Sequence, residues 1–422
     1  MTELFSLVAA PILFSRECSY MKRNGIMPLF SLSLCVIGGC VLSCLINSTP
    51  FQAALRGVAT TCLVSCSIIV SHWAIRKDMS GFKWFLLGGA FSFFASAFVF
   101  QHSVEVSMLA EGRYGQSAVA AIMSGPLFWI SRLNAIIGAI PKGWYLQCPG
   151  FVCVIIPIGL ALFAALTSES GRSVTLGLVA ASILVLIGGK TPARIKRFVC
   201  RKMWMLIIVA IISIFVLNRL YHYAAQNGML TEKARVKYEA QTHGSANIFK
   251  LLLSGRMESF CGLLACVDKP IVGMGPWAVD NAGYTTTFLS RYADEDDYRK
   301  YIEIVNYYSL RGASSLRLIP CHSYITQFWL WYGVFGLIFW MYVIFVLLRY
   351  LRQDCFAVPQ LYMWLAAGTP SFLWGIFFSP LSERFSPMLF VVSCLVVRSI
   401  RQGVCVLPDH MIQEIYKIQA RR

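Results

Sequence analysis

Apolar residues run in long blocks along this chain, separated by short basic stretches and by one extended polar segment, Leu220 to Cys321. A helix needs roughly 20 largely apolar residues to cross a bilayer core. Blocks of that kind cover Met27 to Leu45, Val58 to Ile75, Phe82 to Phe100, Ala118 to Ile140, Phe151 to Leu166, Ser173 to Ile187 and Met203 to Leu217. Beyond the polar segment come Tyr324 to Leu348, Pro359 to Phe378 and Pro387 to Val397. The pattern predicts an all-α, polytopic helical membrane protein with about ten transmembrane helices. The first apolar run, Leu4 to Phe14, is interrupted by Pro11 and followed by Arg16, Lys22 and Arg23, so it reads as an interfacial segment.

The expected division places N-terminal transmembrane helices at 1–219, an outer loop with short helices at 220–322, C-terminal helices at 323–400 and a tail at 401–422. Within the tail, Asp409 to Arg422 has the alternation of an amphipathic helix lying on a membrane or of a solvated end.

Composition agrees: 57% of the 422 residues are hydrophobic and 14% charged, which excludes an ordinary water-soluble globule. The net charge of +17 does not gather on one soluble surface, as nucleic-acid binding requires, but falls between the apolar blocks. Alternate connections carry it, in the groups around Arg23, Arg76, Lys196, Arg349 and Arg401, with Lys142 in the same phase. The intervening connections hold single arginines, Arg56, Arg113, Arg172 and Arg384. Short cytoplasmic loops are enriched in Lys and Arg, so both termini are expected inside and the long segment outside.

Fifteen cysteines do not form a metal framework, since many lie inside apolar blocks and none is spaced as a CxxC pair. The acidic run Asp294 to Asp297 lacks the spacing of a calcium loop and reads as a solvated turn. The aromatics Phe328, Trp329, Trp331, Tyr332 and Phe335 are expected in an interfacial belt.

Three outer-face elements carry candidate chemistry. In the turn TSESGR, Arg172 stands at the outer end of a helix, where a snorkelling anchor is the plain alternative. In SGRMESFCGLLACVDKPIVGMGPW, Arg256 opens a helix that stops near Pro270 and turns through Gly273 and Gly275. A guanidinium at a helix start suits an anion; a solvated helix face is the plain alternative. In HSYITQFWLWYGVFG, His322 sits at the membrane rim, able to accept a proton from a hydroxyl, or simply to occupy the headgroup zone.

His322 and Ser323, then nine residues to Gly333 and two more to Gly336, resemble the histidine signature of the bacterial O-antigen ligase family. Arg256, Pro270, Gly273 and Gly275 resemble its arginine helix and Gly-x-Gly turn, and TSESGR is similar to its Thr-Ser-Arg-Gly turn with an insertion. The likeness covers Arg256 to Leu337, and more loosely Arg113 to Tyr350. It departs from the family at Ser323, where asparagine is common, and at Trp331, where an acidic residue is common.

The resemblance implies a GT-C-like membrane glycosyltransferase of a bacterial inner membrane, with its active site on the periplasmic face. It further implies an undecaprenyl-pyrophosphate-linked glycan as donor, a lipid or glycan hydroxyl as acceptor, membrane lipids as surroundings and no nucleic acid. His322 is then the expected base, while Arg256 and Arg172 hold the pyrophosphate; Ser323, Gly273, Gly275, Arg317 and Arg113 complete the expected substrate-binding set. Transfer inverts the anomeric carbon. No metal or other cofactor is expected, the first outer loop, Asn47 to Arg56, having no carboxylate to hold one. A repeat-unit polymerase of the same superfamily and a lipid or glycan transporter are the alternatives. Cys321, expected outside with Cys261 and Cys266, is a candidate for a disulfide with either.

Overall fold

The computed structural model describes residues 2–77, 203–229, 257–292, 318–321, 323–354, 372–378 and 385–403, together with 235, 238, 239, 365 and 369. The regular elements among these residues are helices, and the pairing of Val279 with Leu318 is an isolated antiparallel bridge. The helices are α1 (Thr2–Arg23), α2 (Met27–Ile46), α3 (Phe51–Lys77), α4 (Met203–Gln226), α5 (Met257–Asp268), α6 (Tyr284–Tyr292), α7 (Tyr324–Tyr332), α8 (Val334–Arg349) and α9 (Phe385–Arg401). Among the described residues, three stretches are long and apolar enough to cross a membrane: Met27–Ile46, Phe51–Arg76 and Val334–Gln353. The expected spans from Phe82 to Ile187 lie outside the described residues, as do most of Pro359 to Phe378 and the tail from 404 onward.

The chain divides into two compact units. One comprises Met1–Trp73, Tyr238–Leu348 and Phe372–Ser399; the other comprises Ala74–Lys237, Arg349–Ser371 and Ile400–Arg422. In the second unit, helix α8 ends in a π turn over Tyr350–Asp354, where the Arg401 guanidinium donates to the Gln353 carbonyl at 2.9 Å.

The first unit carries most of the described side chains. Helix α1 is longer than the apolar run Leu4 to Phe14 announces, because the polar half from Ser15 to Arg23 continues the same helix. It ends in a Schellman turn: Ile26 N–H reaches the Met21 carbonyl at 2.8 Å and Gly25 sits at φ +67°. Pro28 then opens α2, its missing N–H being one the first turn leaves unpaired in any case. Between α2 and α3 the Ser65 hydroxyl donates to that of Ser33 at 2.8 Å, a buried interhelical bond of the sort that ties membrane helices. Gly39 of α2 lets the Phe335 ring approach to 2.7 Å of where a β-carbon would stand. Helix α9 is buried from Met388 to Val397.

At one end of these helices lies a buried polar cluster. The Glu17 carboxylate stands 2.9 Å from His72 Nδ1, Asn24 Nδ2 is 3.0 Å from His72 Nε2, and the Ser399 hydroxyl is 3.3 Å from Asn24 Oδ1. The carboxylate approaches off the line of the ring N–H, so the first contact is electrostatic rather than a well-aligned hydrogen bond. The same ends of α1, α3 and α9 carry Lys22, Arg23, Arg76, Lys77 and Arg398.

The expected single span Tyr324 to Leu348 is two helices. Apolarity is continuous through the stretch, but Gly333 takes φ +63° and ψ −148°, a region open in practice only to glycine, and the chain breaks there.

Candidate functional site

The break at Gly333 is where the two most distinctive stretches of the sequence meet. The turn after α5 places Gly273 at φ +79° and Gly275 at φ +90°. Met274 N–H donates to the Leu330 carbonyl at 2.6 Å, and Val334 N–H donates to the Ile271 carbonyl at 3.0 Å. The Trp329 indole N–H donates to the Pro270 carbonyl at 3.0 Å. A β-carbon on Gly273 would meet Gly333 N and Leu330 O at 2.7 Å, and one on Gly333 would strike the Ile271 carbonyl. The two backbones therefore touch with no side chain between them. Gly336 does the same one turn later, its α-carbon facing the Phe328 carbonyl, which folds the start of α8 onto α7.

The loop from α2 to α3 closes around this contact. A β-carbon on Gly275 would lie 2.5 Å from the Thr49 hydroxyl, and Pro276 occupies the space a side chain at Gly57 would need. Asn47 Nδ2 donates to the Gly273 carbonyl at 3.0 Å while its Oδ1 accepts from the Lys269 ammonium at 2.8 Å. The Tyr332 hydroxyl reaches the Gly57 carbonyl at 3.4 Å.

Helices α5 and α7 run side by side in the same direction. Gly262 faces Pro320, Cys321 and Thr326; Cys266 Sγ lies 3.6 Å from the Thr326 carbonyl; Pro270 meets Trp329; and Gly273 meets Leu330 and Gly333. Their starts, Met257 and Ser323, are accordingly at one end of the pair. Ser323 caps α7: its buried hydroxyl accepts from Thr326 N–H at 3.2 Å and donates to the Ile376 carbonyl at 2.9 Å. The segment before it is held by the Val279–Leu318 bridge, with Ile319 N–H donating to the Ala278 carbonyl at 3.0 Å. Helix α6 is capped by Asp280, whose oxygens accept from Tyr284 N–H at 2.7 Å and Thr285 N–H at 2.9 Å. Its Tyr284 hydroxyl donates to Asp268 at the end of α5 at 2.6 Å. Burial, then the Asp268 carboxylate, pushes the Tyr284 phenol up to about 12.

No family model, no curated protein and no solved structure matches the chain.

Of the sequence-predicted site residues, Ser323, Gly273 and Gly275 are brought into this single assembly, all three buried. The hydroxyl of Ser323 is engaged in its cap, Gly273 in a backbone contact and Gly275 in a close contact with the Thr49 side chain, so each positions chain rather than presenting a free polar group. His322, Arg256, Arg172, Arg317 and Arg113 lie outside the described residues. In sequence, though, His322 directly precedes the α7 cap and Arg256 directly precedes α5.

The aromatic belt expected over α7 is mostly core: Phe328, Trp331 and Tyr332 are buried, because α8 and the Gly273 turn cover the face they occupy. Trp331 lies on Trp277 with ring centroids 4.4 Å apart. Sequence reasoning passed over Asn47, Lys269 and Trp277. Lys269 is an exposed cation beside the Gly-x-Gly turn, and its position directly before Pro270 was the available signal.

Proposed function

We propose that the chain is an inner-membrane glycosyltransferase of the O-antigen ligase type, moving a glycan from an undecaprenyl-pyrophosphate donor to an acceptor hydroxyl on the periplasmic face. In this reading His322 removes the acceptor proton as the hydroxyl attacks the anomeric carbon, and inversion follows from that single displacement. Arg256 and Arg172 hold the pyrophosphate and balance the charge that grows on it as it leaves. The ten-span topology, with both termini inside, belongs to the same reading.

The observation that carries it is the interlock of the Gly273 turn with the Gly333 break, since these are the stretches on which the family resemblance rests. Their contact sets α5 and α7 parallel with their starts at one end, and in sequence Arg256 immediately precedes α5 while His322 immediately precedes the Ser323 cap of α7. Supporting it, the basic ends of α1, α3 and α9 gather at the buried Glu17–His72 cluster, whereas the interlock packs against the loop from Asn47 to Gly57 at the opposite ends of α2 and α3.

The test is deletion of the encoding gene with analysis of surface glycans, then complementation by wild type and by His322→Ala. Accumulated lipid-linked chains of normal length, rescued by wild type and not by the variant, are the expected result. Single repeat units would point to a polymerase, and unchanged glycans or full rescue by His322→Ala would remove the assignment.

A further inference from the structure

Three thiols, Cys261, Cys266 and Cys321, lie around one side of α5, and the glycosyl-transfer reading uses none of them. The Cys321 sulfur rests directly on the helix backbone at Gly262, 2.5 Å from where a β-carbon would be, so the missing side chain is what lets it reach the helix. The Thr326 methyl occupies the same spot at 3.1 Å, and the Thr326 carbonyl lies 3.6 Å from Cys266 Sγ. Cys266 is four residues past Gly262, hence one turn on and only about 40° around the helix. Helical side chains lean toward the N-terminus, which carries the Cys266 sulfur back over Gly262 and toward Cys321. Cys261 leaves the helix about 100° from Gly262 in the other sense. No three His, Cys, Asp or Glu side chains among the described residues are grouped to hold a metal ion, so these thiols are not a metal centre.

We propose that Cys266 and Cys321 are a disulfide-forming pair that, once closed, pins the segment entering α7 to the last turn of α5. The proposal rests on the reading that the segment from Leu220 to Cys321 faces an oxidising compartment. Closure needs an oxidant of the thiol–disulfide oxidoreductase class. One thiolate of the pair attacks the oxidant's disulfide, forming a mixed disulfide and releasing one oxidant thiolate. The other thiolate of the pair then attacks the protein sulfur of that mixed disulfide and expels the second oxidant thiolate. The pair gives up two electrons and two protons, and the oxidant disulfide becomes a dithiol. Burial pushes Cys266 up to about 12, against the partial offset of a backbone hydrogen bond, and burial with the Cys266 and Cys261 sulfurs nearby holds Cys321 well above an ordinary thiol, so closure without such an oxidant is slow.

Full-length protein is harvested from cells into N-ethylmaleimide, digested without reductant and mapped by mass spectrometry. A Cys266–Cys321 peptide two hydrogens lighter than the sum of its parts, retained in Cys261→Ser and lost on reduction, is the expected result. A Cys261–Cys321 link overturns the pairing. Alkylation of both Cys266 and Cys321 overturns the proposal if a reporter fused after Gly244 reads as external. If that reporter reads as cytoplasmic, the membrane topology has failed instead, and solubilised protein treated with oxidised glutathione decides: the same linked peptide sustains the pair and free thiols overturn it. Glycan transfer by His322→Ala bears on neither arm.

Discussion

Trp331 lies against Trp277, ring centroids 4.4 Å apart and ring planes tilted by 33°, and so joins α7 to the turn that follows α5. Trp277 is also held at φ +53°, unusual for a bulky residue, which the surrounding contacts must enforce. An acidic side chain at position 331 could not take this place without burying a charge. Trp331→Ala is expected to lower stability in detergent by about 3–5 kcal/mol, the usual cost of emptying a buried aromatic site. Trp331→Phe keeps part of the ring contact and should recover more than half of that loss. Thermal unfolding of the purified protein measures both, and equal losses for the two variants would show that the ring contact does not matter.

The glycines of the interlock differ sharply in what surrounds them. Gly333 combines a glycine-only backbone with the Ile271 carbonyl at its α-carbon, and Gly336 faces the Phe328 carbonyl. Gly38, by contrast, has open space within 4 Å of its would-be β-carbon and lies inside α2. Gly333→Ala and Gly336→Ala should each cost more than about 2 kcal/mol through strain and displaced backbone, whereas Gly38→Ala should be neutral or stabilising by up to about 1 kcal/mol. Side-by-side unfolding curves of the three variants test the contrast, which would collapse if all three lost stability alike.

Hydropathy alone located α2 to within a residue at its end, because length and apolarity decide a span. The same measure missed the break at Gly333, since the residues on either side are equally apolar and only a backbone angle separates the helices. It also misassigned Phe328, Trp331 and Tyr332 to a belt, because burial depends on what packs above a helix, and here that is a turn some 60 residues earlier in the chain. Asn47 meeting Gly273, 226 residues away, has no local signature at all. The glycine spacing singled out the two stretches, but neither their contact nor the part their glycines play in it has a signature in the sequence.

The buried cluster of Glu17, His72, Asn24 and Ser399 joins α1, the α1–α2 turn, α3 and α9. Both Glu17 and His72 are almost wholly buried, at 1% and 0% exposure of their side chains, so neither can fall back on water. His72→Leu should cost about 3–5 kcal/mol by leaving the carboxylate without its imidazole. The double variant Glu17→Leu with His72→Leu should lose markedly less than the sum of the single losses, since no charge is then left buried. A double-mutant cycle on unfolding free energy measures this; additive losses would mean that the two side chains act independently.

Tyr284 offers a pH-dependent handle on the joint between α5 and α6. Its phenol, donating to Asp268 at 2.6 Å, is pushed up to about 12 in the folded protein, against about 10 for a free tyrosine. The folded state therefore holds this proton more tightly than the unfolded one. The stabilisation it contributes is complete below about pH 10 and is lost as pH rises through about 12. Tyr284→Phe lacks both the bond and the titration. Because the remaining tyrosines are common to both proteins, the difference in unfolding midpoint between wild type and Tyr284→Phe should be small and constant near neutrality and should shrink above about pH 10. A difference that stays unchanged to about pH 12 would separate the phenol from Asp268 and leave Phe260 against Phe288, with ring centroids 6.3 Å apart, as a tie between the two helices.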